Sequence, residues 1–306
     1  MRYFLKDKHP LIKLLFFILL SLVSLFLIVF LGVIIGYAIW GGSFLQAVSS
    51  MNIDDNINPL KYLQLISHLG MFIVPALAFG FFVEKNGFKY LTLNKGFSFY
   101  SLILVVLIIF LVQPLISWIA ELNMAMKLPE SLKNIEIWMQ NSENQAKEIT
   151  DLFMKTDTVN GLIMNLFVVA IIPAIGEELV FRGILQKCLQ EWIKVAWVAV
   201  LVTAIIFSAF HLQFYGFFPR LLLGIVLGLV FAVSNKLWLS IIMHFVNNGT
   251  AVVLYWLYAR KQIDFDPETA GSLNDQPILL IASVIVTLLL IFAFIKKHKK
   301  EQKETI

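Results

Sequence analysis

Residues 14–40 read LLFFILLSLVSLFLIVFLGVIIGYAIW, a run without a single charged side chain. A helix crosses the hydrocarbon core of a bilayer with about 20 mainly apolar residues. The run is therefore long enough to span, and it is too long for the apolar core of a signal peptide. Arg2, Lys6, Lys8 and Lys13 surround its start, so it reads as an uncleaved anchor with a basic flank. The rest of the chain is of the same kind. Of its 306 residues 59% are hydrophobic, and the mean hydropathy is +0.83, whereas a soluble domain is roughly half apolar. Lipid is the solvent for most of it. Spanning β-strands would show as short alternating segments, and the sequence has helix-length runs instead.

Apolar runs between polar breaks predict eight spans, at Leu11–Trp40, Tyr62–Val83, Phe99–Ala120, Leu162–Leu185, Val195–Phe214, Phe218–Val233, Leu237–Tyr258 and Pro277–Ile295. The expected fold is all-α, a polytopic membrane protein with about eight transmembrane helices. Residues 1–120 would hold the first three, 121–160 an extramembrane segment, 161–295 the remaining helices and 296–306 a basic tail. An even number of spans puts both termini on one side. The basic residues mark that side as cytoplasmic: Lys85, Lys89 and Lys95, then Lys187, Lys194 and Lys236, then the C-terminal Lys296, Lys297, Lys299, Lys300 and Lys303. Between them fall loops with Asp54 and Asp55, or with Asp264 to Glu268. The net charge of +4 has this origin. It forms no phosphate-binding stripe, so no nucleic-acid partner is expected. Glu121–Asn160 mixes four lysines with seven acids and reads as an external amphipathic segment. The one cysteine, Cys188, excludes an intramolecular disulfide and reads as a buried apolar filler. Nothing ahead of the first span looks like organelle targeting, which favours a bacterial inner membrane.

Several polar residues lie where lipid should exclude them. Glu177, Glu178 and Arg182 fall within an apolar run, and a charge at the centre of a span costs about 2.5–3.5 kcal/mol. Glu178 and Arg182, four apart, share a helix face and can pair. Glu177 is turned about 100° away and lacks that partner. A carboxyl group in a low-dielectric site can take a proton from water and return it; the bland alternative is a neutral acid hydrogen-bonded to a neighbouring helix. Phe207 and His211, and then His244 and Asn248, repeat the four-residue spacing on two later spans. A carboxylate and a histidine can activate water while a second histidine and an amide stabilise an oxyanion. One Glu and two His, namely Glu177, His211 and His244, could equally hold zinc. The residues leave both chemistries open. With straight spans Glu177 and His244 fall at similar depth but His211 lies near the opposite end; a break at Pro173 and Gly176 would allow the site to close. Pro75 and Pro114 are expected to kink their spans, and His68, with no partner at helical spacing, reads as a packing residue.

These motifs resemble those of the CPBP family of intramembrane proteases, also called the CAAX prenyl protease or Abi family. The matching residues are Glu177-Glu178-Leu179-Val180-Phe181-Arg182, then Phe207 to His211, then His244 to Asn248, in the family's order. The resemblance implies peptide-bond hydrolysis within the membrane, with Glu177 as general base and His211 orienting the water. It further implies that His244 and Asn248 stabilise the oxyanion, and that Glu178, Arg182 and Phe207 support the site. It favours glutamate chemistry without a resident metal; were zinc required, Glu177, His211 and His244 would hold it. Relatives act on prenylated protein C-termini, process peptides or confer bacteriocin immunity, so the expected partners are a peptide or protein substrate and the bilayer. A non-catalytic transporter or immunity-type scaffold built on the same polar network is the competing reading.

Overall fold

In a computed structural model of the chain, the described residues are 3–50, 57–273 and 276–304; Arg2, Asp54 and Asp55 lie outside them. The apolar runs fold as helices, because in lipid a backbone must satisfy its own hydrogen bonds. The main helices are α1 (Pro10–Trp40), α2 (Asn58–Val83), α3 (Phe99–Met124), the amphipathic α4 (Lys133–Met154), α5 (Val159–Ile193), α6 (Ala196–Ala209), α7 (Phe217–Ser234), α8 (Leu237–Ala259) and α9 (Pro277–Glu304). No strand occurs among the described residues.

Seven of these helices are long and apolar enough to cross a membrane. The fifth of the eight expected spans, Val195–Phe214, is helical only over the 14 residues of α6, about 21 Å at the α-helical rise, against a hydrocarbon thickness of about 30 Å. The fourth span departs from expectation in the other direction. It continues to Ile193, eight residues beyond Leu185, because the polar residues that end its apolar run are held by neighbours. The Lys187 ammonium donates to the Tyr90 carbonyl, and Glu191 pairs with the buried Lys13 of α1 at 2.7 Å. This changes the depths. Glu177 lies 16 residues before the end of α5 (193 − 177) and His211 lies 15 after the start of α6 (211 − 196). Two antiparallel neighbours joined at that turn bring both residues to one level.

Pro173 does not cut the span in two. A π-helical turn, Leu166–Ile171, precedes it, and the proline sits in the first turn of the α-helix that follows. In α2 the π-helical turn Leu69–Ile73 stands in the same relation to Pro75. Proline lacks an N–H, and its ring crowds the carbonyl four residues earlier; in both helices the widened turn ends two residues ahead of it. A third such turn, Phe181–Gln186, follows the Glu177–Glu178 pair. Pro114 stays within an uninterrupted α3.

Helices α2, α5, α7 and α8 are the most enclosed, while α1 and α9 expose most of their apolar surface. One core gathers Phe17, Phe79, Leu179, Ile184 and Phe231. A second gathers Ile108, Leu227, Met243 and Phe294. Between them, Phe72, Phe181 and Phe207 form a small apolar cluster that walls the charged residues of α5.

Candidate active site

The site is founded on Glu178 and Arg182, one helical turn apart and both fully buried. The guanidinium donates to Glu178 Oε1 at 2.8 Å and to the Gly224 carbonyl at 3.1 Å. Its carbon lies 4.8 Å above the Phe207 ring, a cation–π contact strengthened by desolvation. One turn on, Gln186 repeats the reach and donates to the Gly228 carbonyl at 2.9 Å. The spacing Gly224-x-x-x-Gly228 on α7 is what permits this. A Cβ at Gly224 would sit 3.1 Å from Ala204 Cβ and one at Gly228 2.9 Å from Gln186 Oε1, the close approach that small residues give membrane helices.

Glu178 is not matched to Arg182 alone. Its Oε1 also lies 3.0 Å from His244 Nδ1; a carboxylate only accepts, so the imidazole donates from Nδ1 and directs Nε2 elsewhere. That direction is Glu177, whose Oε2 is 3.9 Å from His244 Nε2. His211 donates from Nδ1 to the Phe207 carbonyl at 2.9 Å and lies within electrostatic range of Glu177. Phe207 packs edge-on against both imidazoles, with centroids 5.2 Å from His211 and 6.0 Å from His244. The motif phenylalanine therefore serves at once as carbonyl acceptor, ring wall and cation–π face.

Asn248 stands one turn after His244. Its amide donates to the Val169 carbonyl at 3.4 Å and accepts from Asn247 at 3.1 Å, and Asn247 in turn accepts from Gln113 of α3 at 2.8 Å. The structure thus gathers Glu177, His211 and His244, sets Glu178, Arg182 and Phe207 beneath them, and ties Asn248 to the backbone of α5.

His68, read from the sequence as a packing residue, is the principal omission. Its Nε2 lies 3.9 Å from Glu177 Oε1 and its Nδ1 donates to the Gln64 carbonyl at 3.1 Å. No spacing on its own helix announces this, since the partner is on α5. Gln186, also unread in the sequence, has a signal there in its place four residues after Arg182.

The donor types suit zinc. Each of the three imidazoles has Nδ1 engaged by a carbonyl or carboxylate, which leaves Nε2 as the ligating atom. Among the described residues no three His, Cys, Asp or Glu are drawn together as a metal cage.

No curated protein and no solved structure matches the chain. A family model does, over less than a third of its length. Residues 159–250, which include every motif residue from Glu177 to Asn248 but not His68, match the family model described as Type II CAAX prenyl endopeptidase Rce1-like.

Proposed function

We propose that the protein is an intramembrane endopeptidase that hydrolyses a peptide bond with a water activated by Glu177. The observation that carries this reading is the Glu177 carboxylate, only 12% exposed, flanked by His244 and within range of His211, beside a second carboxylate already neutralised by Arg182. Two adjacent acids thereby acquire different work: Glu178 fixes His244, and Glu177 is free to accept a proton.

In the proposed step His211 orients the water, Glu177 takes one of its protons, and the oxygen attacks the scissile carbonyl carbon. His244, held through Nδ1 by Glu178, and the second N–H of the Asn248 amide donate to the oxyanion. Glu177 then returns its proton to the amide nitrogen as the C–N bond breaks. The substrate is a peptide or protein segment within the bilayer. The name of the matched family makes a prenylated C-terminus the first candidate. We place the protein in a bacterial inner membrane with both termini cytoplasmic, in keeping with its basic loops and tail; the short α6, which returns the chain beside α5, keeps the number of passages even.

The test is proteolysis of prenylated and unprenylated peptide libraries by purified protein in liposomes, with and without chelator, comparing wild type with Glu177→Gln. Cleavage lost in the variant and kept with chelator supports the glutamate mechanism; cleavage lost with chelator assigns the chemistry to a metal. Proton-coupled solute uptake without cleavage would replace the enzyme by a transporter.

A further inference from the structure

We infer that His68, which lies outside the matched segment, is a positioning residue for Glu177; the inference rests on the reading of Glu177 as the base. Each oxygen of the Glu177 carboxylate meets a different imidazole, Oε1 facing His68 Nε2 and Oε2 facing His244 Nε2, both at 3.9 Å. Rotation of the carboxylate plane withdraws one oxygen from each histidine. The pair therefore fixes which lone pair is presented to the water.

The local structure serves that contact. The π-helical turn Leu69–Ile73 begins at the residue after His68, and π turns inside α-helices concentrate at functional sites. Gly176, adjacent to Glu177, lets α2 dock flush, since a Cβ there would lie 2.9 Å from Phe72 Cβ. Phe72 stacks on the His68 ring with centroids 5.3 Å apart, and Gln64 holds Nδ1 from the preceding turn. With ring plane and Nδ1 both fixed, Nε2 has one direction left. Farther along, buried Lys61 donates to Asn165 Oδ1 at 2.6 Å, a second lock between α2 and α5. His68 also borders a cavity of about 490 Å³ between α2 and α4, lined by Leu63, Gln64, Ile149, Phe153 and Val169.

The experiment uses full-length protein in liposomes and a farnesylated, internally quenched peptide ending in a CAAX sequence. It compares His68→Leu, His68→Gln and His68→Asn with wild type and Glu177→Gln. A Gln amide nitrogen reaches the place of Nε2 and an Asn amide that of Nδ1, so only Gln should restore the contact. The expected result is a kcat lower by roughly tenfold in the Leu and Asn variants with KM nearly unchanged, and substantial recovery in the Gln variant. Ring ¹⁵N resonances of the five histidines give a readout that needs no substrate: Glu177→Gln should move those of His68 and His244 and leave His9 in place. Normal kcat in His68→Leu beside an inactive Glu177→Gln overturns this inference alone. Normal cleavage by Glu177→Gln overturns the reading of the base. An unmoved His68 resonance overturns the contact whether or not any peptide is cleaved.

Discussion

The side-chain amide of Asn248 donates to the Val169 carbonyl at 3.4 Å, and Val169 is the residue whose carbonyl an N–H at position 173 would take in an uninterrupted α-helix. Position 173 is proline and offers no such N–H, and Asn248 donates to that carbonyl from α8. The same amide that a proteolytic site would use on an oxyanion thus also latches two helices, about two turns ahead of Glu177.

The latch can be separated from the chemistry. Asn248→Ala should lower stability by about 0.6 kcal/mol, the average for a hydrogen bond between membrane helices, and lower kcat as well. Pro173→Ala restores an N–H to the α5 backbone and should offset the stability loss in the double variant without restoring cleavage. Thermal unfolding in detergent, paired with the cleavage assay as a double-mutant cycle, checks both.

Glu178 and Arg182 are fully buried and share one oxygen with His244. Removing one charge strands the other, so Glu178→Leu or Arg182→Leu alone should cost about 3–5 kcal/mol. The double Leu variant should be clearly more stable than either single one, yet inactive, because His244 has lost the acceptor that fixes Nδ1. Arg182→Lys should behave as a loss, since a single ammonium cannot reproduce the fork to Glu178 and Gly224. Denaturation midpoints rank the four proteins.

Helix α7 offers a steric counterpart. At Gly224 an added Cβ meets both Ala204 Cβ and Ala204 Cα, at 3.1 and 3.2 Å, whereas at Gly228 the nearest atom is the end of the Gln186 side chain. Backbone cannot yield as a side chain can. Gly224→Ala should therefore be the more destabilising, by about 1–3 kcal/mol, and should also displace the Phe207 ring, 3.2 Å from the same position. Activity measured at equal folded fraction should fall in Gly224→Ala and persist in Gly228→Ala.

The parts of this arrangement legible in the sequence are those written along one helix. Apolar length gave the spans, and four-residue spacing gave Glu178 with Arg182 and Phe207 with His211. What escaped depends on a second helix. The end of α5 was misplaced because Lys187 and Glu191 read as the polar end of a span, whereas the Tyr90 carbonyl and Lys13 receive them. The depth of His211 followed from that error. His68 was passed over because its partner is more than 100 positions away, and the closeness of α2 to α5 rests on Gly176, whose missing Cβ makes no pattern.

The position of His211 depends on the loop Phe210–Gly216, and that loop is fastened from outside the matched segment. Glu143 of α4 accepts from the Tyr215 backbone N–H at 3.2 Å and from the Gln213 amide at 3.3 Å, while Arg220 donates to the Gln213 carbonyl at 3.0 Å. Ser208 closes the base of the loop by donating to the Phe217 carbonyl at 2.6 Å. A second tie of α4, Lys147 with Glu268, joins side chains that are 53% and 42% exposed, and exposed pairs contribute little. The two ties should then differ sharply. Glu143→Ala releases a backbone donor and should raise hydrogen–deuterium exchange across 210–216 and lower kcat several-fold with the global unfolding midpoint unchanged, as expected where a loop only positions a catalytic group. Lys147→Ala should leave exchange and kcat near wild type. Equal effects of the two variants would mean that α4 acts by covering the site as a whole, and the specific hold of Glu143 on the His211 loop would be refuted.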